Sequence, residues 1–143
     1  MEEGSMEEKG GEIQRNREGP AHYKVLVVDD QELMGKLIAD LLSRFGHECK
    51  IVRSGTEALD RMRQDRFDAV ITDIVMPEMD GLALARELRN LYPRLPVTIM
   101  TGHGNAYPEE SARLAGARDF IMKSFSIDEF ILRFNRMMHD PVT

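Results

Sequence analysis

Five residues have the types and positions that suit phosphoryl chemistry: Asp29 and Asp30, Asp73, Thr101 and Lys123. Three carboxylates brought together repel one another, and a hard divalent cation is the natural remedy. Mg²⁺ prefers a few carboxylates completed by waters and phosphate oxygens, which fits so small a ligand set. A carboxylate can also attack phosphorus and carry the group as an aspartyl-phosphate. A metal would neutralise charge on the incoming group, Lys123 would pair with another phosphoryl oxygen, and the Thr101 hydroxyl would donate to a third. Backbone N–H groups around Val75, Met76 and Gly102 would fill the remaining positions. Taken singly, each residue has an ordinary reading. Asp29 or Asp30 reads as a helix N-cap, Asp73 and Thr101 as turn residues, and Lys123 as a solvated charge. What separates the two readings is placement, and placement is set by the elements that carry these residues.

Those elements alternate. Lys24–Val28 (KVLVV) and Asp68–Asp73 (DAVITD) are continuous apolar, β-branched runs that suit strands covered on both faces. Glu48–Val52, Pro96–Met100 and Arg118–Met122 supply three more strands. Between the first two strands, Leu33, Met34, Leu37, Ile38, Leu41, Leu42 and Phe45 recur at helical spacing until Gly46. Ser54 with Glu57 forms a capping box for a second helix to about Gln64, and Ser126 with Glu129 another for the last helix. Leu82–Leu91 makes a third helix, ending before Pro93, and Pro108–Leu114 a short fourth, closed by Gly116. On the last helix Ile127, Phe130, Ile131, Phe134, Met137 and Met138 share one face. Five strands alternating with five helices imply an α/β fold, a parallel sheet with helices on both sides. All strands of such a sheet point one way, so their carboxyl ends form one edge, where ligands of open α/β sheets bind. Asp29 and Asp30 follow the first strand, Asp73 ends the third, Thr101 follows the fourth and Lys123 the fifth. The five residues are therefore expected to converge.

Composition narrows the classes. A chain of 143 residues suits one domain, and burial of roughly 70% of its unfolded surface lets it fold without disulfide or metal. The single cysteine, Cys49, cannot form an internal disulfide, which points to a reduced, cytoplasmic setting; on an edge strand it reads as packing rather than redox. No apolar run approaches the ~20 residues of a membrane span. A net charge of −6 argues against direct nucleic-acid binding by this chain. The four histidines lack metal-ligand spacing, and Gly102-His103-Gly104 lacks the third glycine and the setting of a dinucleotide loop. Residues 1–22 hold six Glu and four Gly against one Ile, so they read as a disordered acidic tail, with Gly4-Ser5 before Met6 fitting either added or native sequence. Residues 23–139 are the expected domain and 140–143 a C-terminal tail or the start of a linker.

VLVVDD (Val25–Asp30), ITDIVMPEMDG (Ile71–Gly81), MTGHG (Met100–Gly104) and DFIMKSF (Asp119–Phe125) stand in an order and spacing that resembles the receiver domain of two-component response regulators, the CheY-like fold. The likeness covers roughly Tyr23 to His139. It implies a flavodoxin-like (βα)5 sheet of order 2-1-3-4-5 and a signalling domain that catalyses only its own phosphorylation and dephosphorylation. Under it, Asp73 is the phosphoacceptor, Asp30 a direct Mg²⁺ ligand, Asp29 a ligand through water, and the Val75 carbonyl the last protein contact. Thr101 and Phe120 become the switch pair, and positions Val75 and His103 tune phosphoryl lifetime. The donor would be a histidine kinase or phosphotransfer protein docking near the first helix. The output surface would be the fourth helix, fifth strand and fifth helix, which also offers a homodimer contact, and the effector stays unnamed.

Two other classes share parts of this pattern. A degenerate receiver used only for interaction would lack some of the five residues. A haloacid-dehalogenase-type phosphohydrolase resembles the site in its aspartyl-phosphate but carries D-x-D, whereas Asp73-Ile74-Val75 has no second acid. One position departs from the receiver pattern: the family's Lys-Pro, with a cis bond, is Lys123-Ser124 here. A cis bond before a non-proline residue costs about 2.5–4 kcal/mol. The expectation is nonetheless a cis peptide, because Lys123 must reach the site.

Overall fold

The computed structural model describes residues 22–102 and 109–139. The expected tail at 1–22, apart from His22, lies outside the described residues, as do 140–143, His103 and Pro108.

The strands are β1 (Lys24–Val28), β2 (Glu48–Val52), β3 (Ala69–Asp73), β4 (Val97–Thr101) and β5 (Asp119–Met122). The helices are α1 (Glu32–Arg44), α2 (Gly55–Gln64), α3 (Gly81–Leu91), α4 (Glu109–Leu114) and α5 (Ile127–His139). All strand pairs are parallel, in the order β2-β1-β3-β4-β5. This is the expected flavodoxin-like sheet, and the strand order reverses between β1 and β3, the place where such sheets open a crevice.

The buried apolar strand residues divide between two cores. Leu26, Val28, Val70, Val97 and Ile99 face α2, α3 and α4, packing with Met62, Leu84 and Leu88. Val25, Val27, Ala69, Ile71 and Met100 face the other way, against Ile38, Leu42, Phe130 and Phe134 of α1 and α5. That two-sided burial is why β1 and β3 read as unbroken apolar runs, since successive residues point to opposite faces.

Helix boundaries follow local chemistry. Ser54 Oγ accepts from the Glu57 amide at 3.1 Å while Glu57 Oε1 takes the Arg53 amide at 2.7 Å. Ser126 Oγ accepts from the Glu129 amide at 3.0 Å. At α1 the expected apolar face is too wide: Ile38, Leu41 and Leu42 are buried, but Leu33 is 84% and Leu37 53% exposed. A helix advances about 100° per residue, so a stripe running from residue 33 to 45 spans more than one buried face. Leu33 and Leu37 fall on its outer side.

The Lys123–Ser124 expectation is overturned: no cis peptide occurs among the described residues. The trans chain still delivers the lysine, because the Lys123 amide donates to Thr101 O at 2.8 Å and the Phe125 amide closes a turn onto Met122 O at 3.1 Å. With the backbone pinned to β4, the flexible four-carbon stem of Lys123 spans the rest of the distance.

Candidate functional site

At the carboxyl edge of the sheet, β1 extends its ladder one residue as the Asp29 amide donates to Val52 O at 3.1 Å. Asp29 Oδ1 then accepts from the Gln31 amide at 2.9 Å, an Asx turn that opens α1. Asp29 is fully buried, and its Oδ2 has no hydrogen-bond partner; the nearest counter-charge is Lys123 Nζ at 3.4 Å. Burial pushes the Asp29 carboxyl above its usual range, the Gln31 amide pulls it back, and the charge of Asp73 pushes the same way as burial. Asp30, half-buried, stands beside it.

Asp73 ends β3, 5% exposed. Its Oδ1 accepts from the Ile74 amide at 2.9 Å, which leaves Oδ2 facing Lys123 Nζ at 3.3 Å. One ammonium thus bridges two carboxylates that would otherwise repel. Thr101, buried at the end of β4, holds the Lys123 backbone through its carbonyl. Phe120, half-buried, packs against the core on the α4 side. In register it lies opposite Ile99, two residues before Thr101, so both residues point to the same face of the sheet. Phe120 also lines a cleft of about 80 Å³ between α4 and β5, with Ala112 and Ala117. Val75 follows Asp73 on the β3–α3 loop and is 41% exposed.

The donor set suits a hard cation. One carboxylate oxygen from each of Asp29, Asp30 and Asp73 lies within 4.8 Å of the others. With an orphaned oxygen on Asp29 at its base, this all-oxygen cluster has the composition that Mg²⁺ takes rather than zinc or copper.

Two positioning residues were not singled out in the sequence. Asp80 Oδ1 caps α3 by accepting from the Ala83 amide at 2.8 Å. Gly81 donates its amide to Ile74 O at 2.8 Å, and a Cβ there would sit 2.3 Å from Asp73 O. The loop from β3 to α3 makes a tight turn at Glu78, whose φ is 69° while the Met79 amide donates to Pro77 O at 2.8 Å. The signal was in the sequence: Asp-Gly opening a helix straight after an acidic strand end.

A family model described as the response regulator receiver domain matches residues 25–135. This chain belongs to that family. The receiver is 33% identical over 115 residues to "Response regulator MprA" of Mycolicibacterium vanbaalenii, covering 80% of this chain and 50% of that protein. It spans about half the length of the curated relatives it matches. Among solved structures it resembles the receiver domain of NtrX from Brucella abortus, with a TM-score of 0.77 and 37% identity over 82% of this chain and 99% of that one. It also resembles the chemotaxis response regulator CheY4 of Vibrio cholerae, with a TM-score of 0.75 and 26% identity over 82% of this chain and 99% of that one. The receiver is thus a signalling domain of the two-component system. No helix among its described residues is long and apolar enough to cross a membrane.

Proposed function

We propose that Asp73 accepts a phosphoryl group from the phosphohistidine of a kinase or phosphotransfer protein, and that the modified receiver signals through α4, β5 and α5. The observation that carries this is the convergence of Asp73, Asp29 and Lys123, with Lys123 Nζ 3.3 and 3.4 Å from the two carboxylates. Asp29, Asp30, Asp73 and the Val75 carbonyl would hold Mg²⁺, Asp29 through a water. The bound ion would supply positive charge to offset the oxygens of the incoming group.

The chain's own part is then positional. The Ile74 amide holds Asp73 Oδ1, so Oδ2 is the attacking oxygen: it forms the bond to phosphorus as the bond from phosphorus to the donor nitrogen breaks. Lys123 follows the new phosphoryl group and leaves Asp29. The Thr101 hydroxyl turns toward a phosphoryl oxygen, and Phe120 moves inward beside it from the α4–β5 cleft. Modification adds about −1.5 to −2 charge at this edge, enough to shift a two-state balance already present in the fold. Val75 on the β3–α3 loop, together with His103 two positions after Thr101 in the sequence, would set how readily water reaches the phosphoryl group.

Exposed apolar side chains support the partner surfaces. Leu33 and Leu37 of α1 and Ile51 of β2 are exposed, and Ile51 packs against Gly35 of α1. Leu33 and Leu37, in the first turns of the helix that follows Asp30, suit a donor protein. Leu114, Met122 and Leu132 are exposed on α4, β5 and α5, which suits an effector or a second receiver. The placement of Lys123 supports a phosphoacceptor over a receiver kept only for interaction.

Incubation with Mg²⁺ and a small phosphodonor is expected to give one adduct of phosphoryl mass per chain. The adduct disappears with chelator and in Asp73→Asn. An unmodified wild-type chain would overturn the proposal.

A further inference from the structure

At the opposite edge of the sheet from Asp73, the α2–β3 and α3–β4 loops flank an open cleft of about 370 Å³, within the size range of small-ligand pockets. Its floor is apolar: Met62 and Phe67 are buried, and Tyr92 and Leu95 pack against the same core. Its rim carries Asp65, Asp68, Arg66 and Arg94. The two acids are already engaged. Asp65 Oδ2 pairs with Lys24 Nζ at 2.5 Å, and Asp68 Oδ2 accepts from the Lys24 amide at 2.8 Å. The Lys24 ammonium also stands 5.2 Å from the Phe67 ring centroid, so it too is held.

The guanidinium groups of Arg66 and Arg94 and the Tyr92 hydroxyl, by contrast, have no partner among the described residues. With Lys24 balancing one of the two acids, the rim carries a net positive charge. An apolar floor with an aromatic wall takes a flat hydrophobic body, and free guanidiniums take a planar anion.

We infer that this cleft is a binding site for a small aromatic anion, a flat ring system bearing one carboxylate or sulfonate, independent of the phosphoacceptor edge. A ligand there would bridge the loops that lead into β3 and β4, the strands that end in Asp73 and Thr101.

The probe is 8-anilinonaphthalene-1-sulfonate added to the full chain, with binding followed by fluorescence and by backbone amide shifts. Saturable binding of one probe per chain is expected, with the shifts centred on Phe67, Asp68, Tyr92 and Leu95. Arg66→Ala with Arg94→Ala is expected to weaken it at least tenfold, while thermal unfolding and the Asp73 phosphoryl adduct stay as in the wild type. The uncharged N-phenyl-1-naphthylamine should bind correspondingly more weakly. Shifts centred elsewhere, non-saturable binding, or equal affinity in the double variant would each overturn the assignment.

Discussion

Asp29 is the residue where stability and function pull apart. It is fully buried, one of its oxygens accepts no hydrogen bond, and burial raises its carboxyl above the usual range. Such a group costs the fold, because an unsatisfied buried acceptor loses its hydration without a full replacement. Asp29→Asn keeps an oxygen for the Gln31 amide and removes the charge. In chelator, urea unfolding of Asp29→Asn should therefore show more stability than wild type, because the desolvated charge and its repulsion from Asp73 outweigh the lost Lys123 pair, while the response to Mg²⁺ is lost. A loss of stability would mean that the ionised carboxylate supports the fold. Asp29, Asp30, Asp73, Thr101 and Lys123 were legible before any coordinates, since strand direction alone sends them to one edge. The peptide geometry at Lys123 was not. It depends on the Lys123 amide reaching Thr101 O and on the length of one flexible side chain, neither of which a motif records.

At the scale of elements, α3 is pressed onto the end of β3. The Gly81 amide bonds Ile74 O, the Ile74 amide serves both Met100 O and Asp73 Oδ1, and no Cβ fits at Gly81 against Asp73 O. Any side chain there must move either the helix or the acceptor strand. Gly81→Ala should lower stability by about 1–3 kcal/mol, the usual cost of overpacking, and slow formation of the phosphoryl adduct. Gly102→Ala is the control, because its Cβ would meet the Lys123 stem at an ordinary 3.6 Å. Equal behaviour of the two variants would rule out close packing at Gly81 as the cause. Strand and helix count followed from apolar runs and capping boxes, and strand order from the resemblance to receiver domains. The face of α1 did not, because Leu33 and Leu37 sit at helical spacing yet point outward. Periodicity reports apolar residues, whether they serve the core or a partner.

For the whole molecule, the edge away from the site sets a pH limit on stability. His47 is buried between Tyr23 and Phe134, with ring centroids 5.5 and 5.1 Å away, and its Nδ1 accepts from the Tyr23 amide at 3.1 Å. That bond requires a neutral ring. Burial first, and then the charge of His22, lower its pKa below the ordinary 6.5. Because the folded value lies below the unfolded one, the unfolded chain takes up the proton first. The stabilisation is complete above pH 6.5 and falls as pH drops through that value toward the lowered one. Thermal unfolding across this range should show the midpoint falling on acidification, and His47→Gln, which keeps an acceptor, should flatten that slope. An unchanged slope would assign the acid sensitivity to other groups. None of this was visible in the sequence, where His47 was one of four scattered histidines; the partners that tune it arrive from His22 and Tyr23, just before β1, and from α5.

The central claim is that Asp73, and no other acid, carries the phosphoryl group. An acyl phosphate is reduced to the alcohol by borohydride, so phosphorylated Asp73 becomes homoserine and leaves a permanent mark. Treating the phosphodonor-reacted chain with borohydride and sequencing its peptides by tandem mass spectrometry should find homoserine at position 73 alone, dependent on Mg²⁺. Homoserine at position 29 or 30, or at none of the three, would contradict the account.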